Sequence, residues 1–159
     1  MTSSSAAADG SSFTDRPVGR RRAEVPAHRS IDEVLEASRR GVDRVEPADL
    51  PDLIAHGAHV IDLRSERTRE PEGHIPGATV MGRLVLEWRL DPGSAHRMDG
   101  GPGLDDLVIL VCNEGYYSSL AARDLRDLGF SRATDLVGGF RAYRRAGLPV
   151  KGKPTRVVL

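Results

Sequence analysis

The sequence predicts an α/β fold, a doubly wound and mostly parallel sheet with helices on both faces. Two observations carry the prediction. From Val45 onward, short apolar runs alternate with segments of helical spacing, the order that winds a parallel sheet. Within that order, Leu107-Val108-Ile109-Leu110-Val111 is an unbroken apolar run, the pattern of a central buried strand.

The elements follow in chain order. Ser30 is placed to cap a short amphipathic helix with Ile31, Val34 and Leu35 on one face, and Glu33 completes a capping box. Arg39-Arg40-Gly41 ends it with basic residues and a glycine stop. Pro47-Ala48-Asp49-Leu50 opens a second helix running to His56-Gly57. Residues 58–63 read as a strand buried over most of its length, 79–81 as a short strand, and 84–90 as a short helix. Residues 118–128 carry Ala121, Leu125 and Leu128 at helical spacing and stop at Gly129. A further strand is expected at 133–137. A last helix is expected at 138–146, ended by Gly147 and Pro149.

The chain has 159 residues, enough for one domain of ordinary size plus a tail. Residues 1–28 are Ser/Ala/Gly-rich and then basic, with Arg16, Arg20, Arg21 and Arg22. They predict a disordered or loosely attached, solvated tail. Residues 29–159 are read as a single domain with an N-terminal helical extension. The composition, 39% hydrophobic and 29% charged, supports a real core under a well-solvated surface. A formal charge of zero gives no global pull toward nucleic acid, and no apolar run approaches the length of a membrane span. The first ten residues lack the charged start and apolar centre of a secretion signal, and one cysteine excludes an internal disulfide. A cytoplasmic location is expected. His56 and His59 flank a turn without a further ligand set, so neither metal nor other cofactor is expected. Nothing in the chain specifies an oligomeric state.

Cys112 ends the central apolar run, and Asn113-Glu114-Gly115-Tyr116-Tyr117 leads from it into the helix that begins at Ser118-Ser119. A turn entering a helix points backbone N–H groups inward, and the helix dipole adds partial positive charge. A thiol over such a ring is biased toward the reactive thiolate. The local residues also fit a small buried hydrophobe at a strand end. Topology favours the reactive reading, because ligands in wound α/β folds sit beyond the carboxyl ends of the strands, where Cys112 and Asp62-Leu63-Arg64 both fall.

Three ordered segments resemble the rhodanese-like family. Val60-Ile61-Asp62-Leu63-Arg64 followed by Gly73-His74-Ile75-Pro76-Gly77-Ala78 matches its Asp-x-Arg and Gly-His-Ile-Pro-Gly-Ala signature. Cys112 to Ser118 resembles its Cys-x-x-Gly-x-x-Ser loop. Leu136-Val137-Gly138-Gly139-Phe140-Arg141-Ala142-Tyr143, with Gly147-Leu148-Pro149-Val150, matches its glycine-glycine segment. The likeness covers about residues 45–150. It implies sulfur transfer through a Cys112 persulfide, from a small donor such as thiosulfate or a persulfide to a thiol or cyanide acceptor. The alternative is a non-catalytic rhodanese-like binding or regulatory module. In the catalytic reading the amides of Asn113, Glu114, Gly115, Tyr116, Tyr117 and Ser118 hold the anionic sulfur. Ser118 both caps the next helix and offers its hydroxyl.

The loop departs from the family in its charge. It carries no cation and one anion, Glu114, so a dianionic donor gains less from it. The two tyrosines suit either an apolar mouth or simple packing over the loop. Asp62 and Arg64 are expected to orient the loop network, with Arg64 paired to a carboxylate such as Asp62 or Glu70. His74 is expected to tie its turn to the backbone, with a proton relay as the alternative. Arg83 or Arg89 could bring the missing positive charge to the mouth, or sit on a surface helix held by Trp88 and Leu86. A phosphatase, the runner-up chemistry, lacks an arginine to clamp phosphate before Arg123.

Overall fold

The computed structural model describes residues 24–159, and much of the expected tail, with its four arginines, lies outside them. Five strands form one sheet in the order β4-β3-β1-β2-β5: β1 His59–Asp62, β2 Thr79–Met81, β3 Val108–Val111, β4 Ala133–Asp135 and β5 Arg156–Val158. Every pairing is parallel, as the alternating pattern predicts. β3 lies beside β1, with Ile61 opposite Leu110 and Asp62 opposite Val111. That register brings Cys112 and the Asp62–Arg64 segment to one end of the sheet.

Alternate side chains of each strand feed two cores, which is why the central run carries no polar face. Ile61, Val108 and Leu110 pack with Ala121, Ala122 and Leu125 of α5 (Tyr117–Leu128) and with Leu86 and Leu90 of α4 (Leu86–Leu90). On the other face, Val60, Ile109 and Val111 pack with Leu50 of α2 (Leu50–Ala55) and with Phe140 and Tyr143 of α6 (Gly139–Arg145). A tight turn over Pro47–Asp49 leads into α2, and another over Arg83–Val85 leads into α4.

The first helix, α1 (Ile31–Arg39), has the expected capping box. Ser30 Oγ accepts from the Glu33 N–H at 3.1 Å, and Glu33 reaches back to the Ser30 N–H at 2.7 Å. Ile31 is exposed, and it is Ser38 that is buried. Arg126 on α5 donates to the Ser38 carbonyl at 2.6 Å and to the Ala133 carbonyl at 2.8 Å, fastening the end of α1 to β4. Val45 then adds a single parallel bridge to Leu136.

Two elements carry no sequence expectation. Helix α3 (Glu66–Glu72) is built from charged residues around Pro71 and presents no apolar stripe, so periodicity is silent there. Strand β5 is a three-residue edge strand, too short to pattern. One expectation is corrected: α5 begins at Tyr117, and Ser118 is therefore inside its first turn and does not cap it.

Candidate active site

Four carbonyl groups of the loop that runs from Cys112 to Ser118 are taken up by donors other than the thiol. Cys112 O accepts from the Phe140 N–H at 2.9 Å and Asn113 O from the Arg141 N–H at 3.1 Å, both at the start of α6. Gly115 O accepts from Arg39 at 2.6 Å and Arg44 at 3.2 Å, and Tyr116 O accepts from the Ser119 N–H at 3.1 Å. In a trans peptide the N–H points opposite to the C=O, so this set leaves amide donors for the opposite side. One donation is direct: the Gly115 N–H reaches the Cys112 sulfur at 3.1 Å.

Two glycines make this geometry possible. Gly115 has φ +81°, and a Cβ there would stand 2.9 Å from Leu136 O. Gly139 has φ +62°, and its Cβ would fall 2.5 Å from Cys112 O and 2.6 Å from Glu114 N. The glycine-glycine segment thus lets α6 lie backbone to backbone against the cysteine loop.

Cys112 is 1% exposed. Its thiol donates to Ser118 Oγ at 3.1 Å, and Ser118 donates to Asp135 Oδ2 at 2.8 Å. Asp135 also accepts from Ser119 at 2.8 Å, and Arg44 grips it through Nε at 2.8 Å and Nη2 at 3.1 Å. This chain of a thiol, a hydroxyl and a buried, arginine-held carboxylate was not expected from the sequence. Arg39 and Arg44 are 76 and 71 residues away from Gly115 in the chain. The sequence signal of Arg39 was the basic end of a helix, which reads as ordinary dipole compensation, and Arg44 gave none. Arg39 also donates to Ser119 Oγ at 2.9 Å, and its guanidinium carbon lies 5.9 Å from the centre of the Tyr116 ring. Burial lowers the Arg39 pKa most, with Arg44 adding to it, while Asp135, Tyr116 and Cys112 act against both.

The remaining loop residues divide between mouth and frame. Glu114 pairs with Arg141 at 2.5 Å, and Arg141 also faces Glu72 at 3.5 Å. Its charge is therefore matched from α6. Asn113 Oδ1 is buried without a partner among the described residues. Tyr116 is 59% exposed, whereas Tyr117 sends its hydroxyl to Leu63 O at 3.1 Å. Burial, then the negative form of Cys112, push the Tyr117 phenol up to about 12.

Arg64 and Asp62 form a buried ion pair at 2.7 Å, and Arg64 also donates to Gly73 O at 2.8 Å. The guanidinium carbon lies 3.6 Å from the centre of the Phe140 ring, joining the β1 end to α6. The second carboxylate is Glu72, at 3.7 Å, in place of the expected Glu70. His74 ties its turn through its main chain, which exchanges hydrogen bonds with Lys151 at 2.8 Å in each direction. Its ring takes no part: Nδ1 is buried without a partner among the described residues, and burial lowers its pKa.

Arg83 is corrected. Its guanidinium is held by Glu87 and Asp124, each at 2.7 Å, so its contacts are with α4 and α5 and not with the loop. Arg89 donates to His96 O at 3.0 Å. A cleft of about 630 Å³ opens near the opposite ends of the strands, lined by Asp43, Asp49, Leu107, Arg126 and Thr134, and contains no thiol.

The comparisons agree with this geometry. The family model described as "Rhodanese-like domain" matches residues 46–146. The chain is 31% identical over 103 residues to thiosulfate sulfurtransferase 16 of Arabidopsis thaliana, covering 63% of this chain and 85% of that protein. Among solved structures, human single-domain sulfurtransferase TSTD1 is 28% identical at a TM-score of 0.56, over 66% of this chain and 97% of that one. A protein of unknown function from Rhodopseudomonas palustris, described as a possible tyrosine phosphatase, is also 28% identical. It reaches a TM-score of 0.70 over 82% of this chain and 100% of its own. Wound parallel sheet, cysteine loop and glycine-glycine contact converge with these matches: the chain belongs to the rhodanese-like domain family.

Proposed function

We propose that the protein is a sulfurtransferase that carries a sulfane sulfur on Cys112. The observation that carries this reading is the Cys112 sulfur, which accepts the Gly115 N–H inside a loop four of whose carbonyls are held by other donors. The Cys112 thiolate attacks the outer sulfur of a donor. With thiosulfate, the new S–S bond forms as the old one breaks, and sulfite leaves with the electron pair. An acceptor thiolate or cyanide then attacks the terminal sulfur, and Cys112 departs as thiolate. The step is covalent catalysis, split into two displacements. The inward amides stabilise the persulfide anion without a titrating side chain.

The name of the Rhodopseudomonas palustris relative brings a second reading, phosphate ester hydrolysis. Within the loop there is no guanidinium fork. Arg39 and Arg44 bind the outer side of Gly115 and the Ser119 and Asp135 side chains, which supports sulfur as the cargo.

Incubation with thiosulfate or a low-molecular-weight persulfide, followed by intact mass, tests the assignment. The expected result is a gain of one sulfur atom, absent in Cys112→Ser and reversed by cyanide. No adduct with any donor would overturn it and leave a non-catalytic binding module. Turnover of an aryl phosphate, lost in Cys112→Ser, would favour the phosphatase.

A further inference from the structure

The loop has no cation of its own, yet two guanidiniums converge on a single loop carbonyl. We propose that Arg39 and Arg44 are positioning residues for the Cys112 loop: by holding Gly115 O from behind, they aim and polarise the Tyr116 N–H for an anionic sulfur. The proposal rests on the sulfurtransferase reading for its cargo, and on the loop geometry for its mechanism.

Both arginines lie outside the stretch matched by the family model, residues 46–146. Each is anchored at a second point, Arg39 on Ser119 Oγ and Arg44 on the Asp135 carboxylate, so neither is a loose surface charge. The Gly115–Tyr116 peptide is trans, hence its N–H points away from the oxygen that the arginines hold. The Tyr116 N–H makes no backbone hydrogen bond among the described residues, which leaves it for the sulfur side. A charge-assisted bond to the carbonyl draws electron density across the amide and strengthens the same peptide as a donor. The extension thereby delivers positive potential through the loop backbone, from guanidiniums that stand on the carbonyl side of Gly115.

The test is the pH dependence of Cys112 alkylation by iodoacetamide, which needs no sulfur donor. Arg39→Gln is expected to move the midpoint upward by about 0.5 pH unit, because a positive charge favouring the thiolate is lost. Arg39→Lys is expected to restore most of the midpoint. A lysine keeps the charge but cannot span Gly115 O and Ser119 Oγ together, so an Arg39→Lys midpoint that stays with Arg39→Gln overturns the polarising role. Arg44→Gln is expected to shift the midpoint in the same direction and supplies the second variant. A folded Arg39→Gln protein with the wild-type midpoint overturns the proposal, as does failure of both glutamine variants to fold, which would make the pair simple scaffold. If wild type takes sulfur from no donor, the sulfurtransferase reading falls while the alkylation midpoints still judge the two arginines.

Discussion

At the residue scale, Ser118 has one hydroxyl proton and two claimants for it. With Cys112 as a thiol, Ser118 accepts from sulfur and donates to Asp135. Once the sulfur is an anion, the hydroxyl gains by turning toward it, and Asp135 retains Ser119 and Arg44. Ser118→Ala removes that option without stranding the carboxylate. A hydrogen bond to a charged group contributes about 1.5–3 kcal/mol, so under the proposed sulfur transfer the turnover of thiosulfate is expected to fall about tenfold or more. The thermal midpoint, read in parallel, separates this from unfolding. Arg64 shows a different economy of charge, since its buried guanidinium is matched by Asp62, by Gly73 O and by the Phe140 ring. Removing one partner of such a pair strands the other as an uncompensated buried charge.

At the element scale, α6 and the cysteine loop form one unit, because the first amides of α6 satisfy two loop carbonyls and Gly139 allows the approach. Gly139→Ala places a Cβ 2.5 Å from Cys112 O at a φ of +62°. The expected outcome is a loss of about 1–3 kcal/mol in denaturant unfolding, accompanied by a large drop in sulfur loading measured by intact mass. Elements with an apolar stripe or an unbroken apolar run were legible in the sequence, β3 and α5 most plainly, because burial writes its own period into the residues. Helix α3 was not legible, because Glu66, Arg67, Arg69, Glu70 and Glu72 have no core to face. The loop's cysteine, glycine and lack of a cation were all readable, because sequence spacing reports what lies within the loop. Arg39 and Arg44 reach Gly115 only through tertiary packing, Arg39 from the end of α1 on α5 and Arg44 from the segment that follows.

At the scale of the whole molecule, the parallel order puts Cys112, Arg64 and Asp135 at the carboxyl ends of three adjacent strands, β3, β1 and β4. His74 belongs to the same end and is only 7% exposed. Burial disfavours its cationic form, with Asp62 opposing and Arg69 and Arg64 assisting. Since the folded pKa is lowered, the unfolded chain binds the extra proton first. His74 therefore contributes stability that is present above the unfolded pKa of about 6.5 and is lost as pH falls through the folded value. Urea midpoints measured at pH 7 and pH 5 are expected to drop toward acid, with a smaller drop in His74→Gln. Equal drops in both proteins would assign the acid sensitivity elsewhere. No helix among the described residues is long and apolar enough to cross a membrane.

The solitary, 1%-exposed thiol has a consequence for oxidative chemistry. A peroxide that reached Cys112 would convert it to a sulfenic acid, and such groups are ordinarily rescued by a resolving cysteine nearby. This chain has none. Its recovery depends on a reductant small enough to reach a 1%-exposed sulfur. Without one, the next oxidation, to the sulfinic acid, removes the thiolate that the proposed sulfur transfer needs.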